Sequence, residues 1–499
     1  MAAPFSADFL EMEIVARACR QKIFGFGASV CAVFATAVCA QTTTQSPVVL
    51  DINKPYAAAD YAFLSSAIGA SRVVALGESI HVTREMPRVR LQMVRYLHEQ
   101  MGFNVIAFEG ALLDAWTAQE HGYRDKGAID ERAATMKREM LFGLWQTKPM
   151  QDVLAYALRT QASGHPLYVT SFDLQPGMAR VYGGSPERSL QAFFAAVTPY
   201  DPTIEPARIA QWSKKLGAAL ACSDESDAGL AVPVVDEIEA WLNGPVANNI
   251  AKDRSAVHLA ALRLVPTMLR ARLQFCHEWV RDKRSMSTYQ RARDELNAQL
   301  VLDELRELPG PMRLILWAHH SHLHYNSLAK TVPSMGQHLH DALHDEIYTV
   351  GVFAQGGYAI DTATIDQAHG LGFLLALAAK PIPSGPRWSV EQQLSQKSPH
   401  DFFLDLRHAP KEWSHASTSR LETNGHMPTA LSADFDGAVL LHQVSSPDLD
   451  FLPSWLRAGA RTVGFVVAYP IVGVGTMIAL VTCLLYIVGR WRRRRTRAR

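Results

Sequence analysis

Five short apolar runs punctuate the chain, and each ends at once in polar or ionisable residues. They are Val73–Leu76, Phe103–Phe108 (FNVIAF), Leu167–Phe172 (LYVTSF), Arg313–Trp317 (RLILW) and Tyr348–Phe353 (YTVGVF). Runs of this length bounded by turn residues fit strands buried on both faces. Between them the spacing is helical. A helix is predicted to start near Thr83–Glu85, with Pro87 tolerated in its first turn. Its apolar face holds Met86, Val89, Met93, Val94 and Leu97. Arg90 falls on that same face, so its charge must be paired or line a cavity. Helices are also expected over Ala57–Ile68, through Ala111–Ala162, and along Ser185–Leu308 with a loop near Ser223–Gly229. Strands alternating with helices predict an α/β fold. Its expected form is a central, mainly parallel sheet with large helical insertions forming a lid.

In such sheets ligands bind beyond the carboxyl ends of the strands. Glu78, His81, Glu109, Asp173, His319 and His322 are therefore expected to converge on one rim. The plainer alternative makes each an ordinary loop polar residue, which suffices for one strand end more easily than for four.

Two further hydrophobic segments bracket the chain. Arg17, Arg20 and Lys22 precede an apolar stretch, Ile23–Ala40, that closes on small residues. This pattern predicts a signal peptide over residues 1–40, with an uncleaved N-terminal anchor as the alternative. Residues 463–488 are 26 positions without a formal charge, followed by RWRRRRTRAR. They predict a C-terminal transmembrane helix and a basic cytoplasmic tail over 489–499. Residues 41–450 then form the main domain, membrane-anchored and extracytoplasmic, as in a periplasm. With 49 Lys+Arg against 48 Asp+Glu and 48% hydrophobic residues, the chain is neither disordered nor a nucleic-acid binder by composition. Of six cysteines only Cys222 and Cys276 fall within 41–450. In an oxidising compartment they are expected to pair.

No GxSxG elbow or phosphate-binding glycine loop is present. What remains is His, Glu and Arg. An imidazole oriented by a carboxylate can take a proton from water, and a guanidinium or second imidazole can stabilise charge on a substrate oxygen. Glu78, His81, Glu109, His319 and His322 are equally competent metal ligands. The residues alone leave both chemistries open.

The string LGESIHVTREMPRVR, FEG with its Glu109 31 residues after Glu78, the SFDLQ segment and WAHHSH together resemble the erythromycin esterase family. The resemblance runs from about Val73 to Gly357 and more loosely over 50–440. It implies hydrolysis of a carboxylic ester, a macrolide lactone among the candidates, by activated water without a cofactor or an obligatory metal. It implies His81 as general base assisted by Glu78, with Arg90, Glu109, His319 and His322 in the same cleft. Asp173 and Gln175 match the family's FDxQ segment, read as structural support behind the site and also, with His320, as candidate substrate contacts. Arg293 and Asp294 match an Arg-Asp pair, read as a salt bridge on a helix. Two positions depart from the pattern: Val82 replaces a glycine and His320 an asparagine. The expected partner is a small-molecule ester. A metal-dependent hydrolase or peptidase, and a non-catalytic surface binding protein, are the alternatives.

Overall fold

Alternation along the five apolar runs builds the centre of the molecule, because successive strand side chains point to opposite faces. The computed structural model describes residues 46–177, 184–223, 225–325, 332–362, 378–409 and 411–447. Its strands are β1 (Val48–Val49), β2 (Val73–Glu78), β3 (Val105–Ala111), β4 (Tyr168–Asp173), β5 (Leu314–His319), β6 (Ile347–Ala359), β7 (Lys380–Pro381), β8 (Phe402–Asp405), β9 (Ser417–Leu421), β10 (Gly425–Thr429) and β11 (Gly437–Val444). Each of the five runs contributes to one of these strands. A single sheet runs in the order β1-β8-β11-β6-β2-β5-β3-β4, with β7 on β6, and β9–β10 form a separate hairpin. From β11 to β4 every neighbouring pair is parallel, and β1 and β8 add an antiparallel edge.

One face of the sheet presents Val74, Leu76, Ile106, Phe108, Ile315 and Trp317. They pack with Met86, Val89, Met93 and Val94 of helix Glu85–Met101 and Val153 and Leu154 of helix Lys148–Thr160. The other face presents Val73, Ala75, Val105, Ala107, Leu314 and Leu316 to Ala298, Val301 and Leu305 of helix Met286–Glu307. A parallel sheet covered on both sides is the only way strands this uniformly apolar escape water. The helices Pro186–Val197, Pro206–Leu220, Glu225–Trp241 and Ala256–Arg281 share a separate apolar core, which includes Trp116, Phe193, Phe194, Leu269 and Phe275. Cys222 and Cys276 form a disulfide inside it.

Three expectations change. The loop expected near Ser223–Gly229 is shorter, since helix Glu225–Trp241 begins within it. Ala57–Ile68 splits into a 3-10 turn, Ala58–Tyr61, and a short helix, Phe63–Ile68. The fold class is corrected to mixed α/β without a membrane helix: among the described residues no helix is long and apolar enough to cross a membrane. The stretch 463–488 read as that helix lies outside the described residues, as do the expected leader over 1–40 and the basic tail over 489–499.

Candidate active site

Strand pairing makes the first juxtaposition. β2 and β5 run parallel in one register from Val73 opposite Leu314 to Glu78 opposite His319. The carboxylate and the imidazole thus end neighbouring strands side by side. Beyond β2 the chain turns through His81, whose ring centroid lies 4.6 Å from that of His319. Gly77 permits this packing, because a Cβ there would lie 3.0 Å from the His320 Cβ.

Glu78 is fully buried and committed on every side. Its Oε1 accepts from His81 Nδ1 at 2.9 Å and from the Trp145 indole N–H at 2.6 Å. Its Oε2 contacts the Arg90 guanidinium. Arg90 is itself fully buried, 3.8 Å above the Trp317 ring, and donates to the Leu76 carbonyl at 3.2 Å. The inward arginine of the helix therefore has its paired charge. Because a carboxylate only accepts, the His81 proton sits on Nδ1 and the Nε2 lone pair is left available. The His81 side chain is 15% exposed.

A second knot lies beside the first. Glu109 Oε1 accepts from Arg293 Nη2 at 2.9 Å, and its Oε2 accepts from the His319 backbone N–H at 2.9 Å. Burial alone would raise this carboxyl. The charges of His322, Arg293 and His81, with the His319 N–H, overcome burial and hold it at about 2. Asp173, also fully buried, accepts from Arg293 Nε at 2.9 Å and Asn297 Nδ2 at 3.0 Å. Gln175 accepts from the Tyr289 hydroxyl at 2.6 Å. Asp173 and Gln175 thus brace Arg293 and the neighbouring helix, the structural one of the two roles expected of them. His322 Nδ1 faces Asp294 Oδ1 at 2.6 Å. Burial works against protonation of His322, but Asp294 and Glu109 outweigh it and raise its pKa. When neutral, its Nε2 accepts from Arg293 Nη1 at 3.1 Å; when protonated, it faces Glu109 Oε1 at 3.4 Å. Arg293 and Asp294 therefore do not form the expected mutual pair. Adjacent on their helix, they meet opposite nitrogens of His322, and Arg293 also reaches Asp173 and Glu109.

His319 is neutral. Burial, then the nearby His81, His320 and His322, push its pKa well below the ordinary imidazole value. Its Nδ1 accepts from the Ser321 N–H at 3.2 Å, so Nε2 carries the proton and donates to the Ser79 carbonyl at 3.2 Å. His320 turns the other way. It is fully buried with its ring 5.6 Å from Phe353 and 6.1 Å from Phe435, and burial pushes it down to about 3. This corrects its expected place among substrate contacts: it is a core residue, because side chains at successive positions of the strand end diverge.

Two members of the cluster carried no sequence signal. Trp145 lies on a single 3-10 turn, Gly143–Trp145. Glu422 sits between β9 and β10 and has a left-handed backbone, φ +59°. Its N–H bonds the Ser79 carbonyl at 2.8 Å, and its Oε1 accepts from the His81 backbone N–H at 3.2 Å. A charged residue between two short strands reads as a solvated turn. Among the described residues, His81, His319 and Glu422 are the group whose ligand atoms lie close enough together to hold a metal ion, all within 4.8 Å.

Known proteins share this fold. "Putative hydrolase YbfO" of Bacillus subtilis (strain 168) is 22% identical over 426 residues, covering 77% of this chain and 86% of the relative. A crystal structure of a Bacillus cereus protein superposes with a TM-score of 0.63 at 16% identity, covering 81% of this chain and 96% of that one. A mutant of the erythromycin esterase EreC in its open conformation superposes with a TM-score of 0.59 at 19% identity, covering 82% and 99%. At these identities the two structures establish a shared fold. The sequence model of the erythromycin esterase family matches residues 98–444, more than half of the chain, and the protein belongs to that family.

Proposed function

We propose that this hydrolase cleaves a carboxylic ester with a water molecule activated at His81 Nε2. The observation that carries the reading is the His81–Glu78 pair: the Nδ1–H is held by a buried carboxylate and the opposite nitrogen is left with its lone pair at a partly open position. In the proposed reaction water gives a proton to Nε2 while its oxygen adds to the ester carbonyl carbon. The tetrahedral oxyanion is stabilised by positive and N–H groups of the cluster, with the His319 Nε2–H and His322 as candidates. Collapse breaks the acyl carbon–oxygen bond, and the departing alkoxide takes a proton from an imidazolium. Arg90 supports the reaction indirectly, by holding in place the Glu78 carboxylate that orients His81.

Membership of the erythromycin esterase family supports an ester substrate, with macrolide lactones to be tried first. The Cys222–Cys276 disulfide supports an oxidising compartment for the domain. The test is a hydrolysis panel of simple esters and 14- and 16-membered lactones, run with and without a chelator. Turnover that survives exhaustive chelation and is lost in His81→Ala is the expected result. No hydrolysis of any ester by the folded protein rules the reading out.

A further inference from the structure

Glu422 occupies a backbone conformation that non-glycine residues seldom adopt and that usually persists only where surrounding contacts enforce it. Those contacts aim its carboxylate. Oε2 accepts from the Thr362 hydroxyl at 2.8 Å, which leaves Oε1 toward the two imidazoles. Oε1 lies 3.7 Å from His81 Nε2 and 3.4 Å from His319 Nε2. Zinc bound tetrahedrally at about 2.0–2.1 Å by nitrogen and oxygen places its ligand atoms about 3.4 Å apart. Both separations to Glu422 lie within a few tenths of an ångström of that value, and all three ligand atoms lie within 4.8 Å of one another.

The surroundings have the form such ligands need. A metal-bound imidazole keeps its orientation by donating its other N–H to a carboxylate, carbonyl or hydroxyl. His81 Nδ1 already faces Glu78 at 2.9 Å, and His319 Nδ1 lies 2.7 Å from Ser321 Oγ. Binding at His319 Nε2 moves that ring's proton to Nδ1, where the Ser321 hydroxyl accepts it, and gives up the hydrogen bonds from the Ser321 N–H and to the Ser79 carbonyl. The other acidic groups nearby are already taken: Glu78 by Arg90, Trp145 and His81, Glu109 by Arg293 and the His319 N–H. Glu422 is thus the carboxylate left to complete a two-histidine, one-carboxylate set.

We propose that His81, His319 and Glu422 form a three-ligand site for one borderline divalent cation, zinc being the type. Its filling silences hydrolysis, because the metal takes the Nε2 lone pair that would accept the water proton. This rests on the reading of His81 as the base. His81 then either takes the water proton or, with His319 and Glu422, holds the ion.

The experiment uses the full chain, stripped of metal by a chelator that is then dialysed away. Zinc binding is read by calorimetry and by metal content. The ligand field is read with cobalt(II), whose visible absorption reports tetrahedral coordination. Hydrolysis is read on a chromogenic ester. The expected result is one zinc per chain, an intense cobalt spectrum, and a rate lowered about a hundredfold or more by zinc and restored by chelator. Glu422→Gln, which keeps size and an acceptor oxygen, should weaken zinc binding by about tenfold or more and dim the cobalt spectrum. His319→Gln is an independent removal of a ligand should the first variant fail to fold. Unchanged binding in a folded ligand variant, or no stoichiometric binding, overturns the site and leaves the metal-free mechanism standing. A stripped protein that is inactive until zinc is restored overturns both the silencing and the metal-free mechanism. Stoichiometric zinc with no hydrolysis in either state overturns the functional reading, and the silencing role with it.

Discussion

Glu78 and Glu120 are both fully buried carboxylates, each ringed by arginine, histidine and an aromatic donor. Glu120 lies on helix Leu112–Arg124. It accepts from the Tyr200 hydroxyl at 2.7 Å and from Arg254 at 3.0 and 3.1 Å, contacts Arg124, and lies 3.1 Å from His258 Nε2. The His258 ring stacks on Trp116, with centroids 4.7 Å apart. Burial would raise the Glu120 carboxyl, but hydrogen bonds from His258, Arg254 and Tyr200 bring it below the ordinary carboxylate range. By residue type this is a richer cluster than the one at the strand ends. What separates them is access. His258 is 1% exposed, whereas His81 is 15% exposed with one nitrogen uncommitted. Glu120 ties four segments of the helical insertion together; Glu78 aims one imidazole.

Substitutions can break this contrast. The largest effect is expected from His81→Ala, which should lower ester turnover by about 10²–10⁴-fold while leaving the melting temperature nearly unchanged. Glu120→Ala should do the reverse: about 3 kcal/mol lost in denaturant titration, because Tyr200, Arg254 and His258 lose their shared acceptor, with turnover of the remaining folded protein preserved. Comparable rate losses in the two folded variants would erase the distinction. Arg90→Ala should combine both outcomes, losing about 3–5 kcal/mol by stranding Glu78 and also lowering turnover. Normal turnover in that variant would detach Glu78 from the mechanism.

Cys222→Ser opens a cross-link between residues 54 positions apart within the insertion. Loop closure makes its expected cost about 2–4 kcal/mol, measured as a lower denaturation midpoint that reductant reproduces in the parent protein. The smallest effect concerns pH. Glu304 is fully buried near Thr170 on helix Met286–Glu307, and burial raises it to about 8. A raised carboxyl contributes its stability below the unfolded value, about 4.3, and loses it as pH rises through about 8. Glu304→Gln should therefore melt higher than the parent at pH 9 and differ little at pH 4. Glu109, held at about 2, has the opposite sign: its contribution is present above the unfolded value and fades as pH falls toward 2. Melting curves across pH check both.

Much of this architecture could be read from local pattern. The five runs become strands because unbroken apolar stretches of that length need cover on both faces. Glu78, Glu109, Asp173 and His319 could be read as rim residues because they stand at or near the ends of those runs. Arg90 stood out as an inward charge on an apolar stripe. Glu422 could not be found this way, since its neighbours in space come from strands hundreds of positions earlier and its own turn looks solvated. Arg293 and Asp294 misled for a related reason: adjacent opposite charges suggest each other as partners, whereas helix neighbours do not face one another, and these two bracket His322 instead. His320 misled by composition, for a histidine beside two site histidines looked functional until burial against Phe353 and Phe435 placed it in the core.

The in-step pairing of β2 with β5 has a consequence for synthesis. His319 meets the Ser79 carbonyl across 240 intervening positions. A slip by one residue would hand its place to Ala318 or His320. Under the proposed mechanism, the nascent polypeptide is therefore expected to gain activity only after the ribosome has passed the fifth strand and that strand has locked in phase. Any fragment released earlier carries His81 but not the imidazole that completes its surroundings.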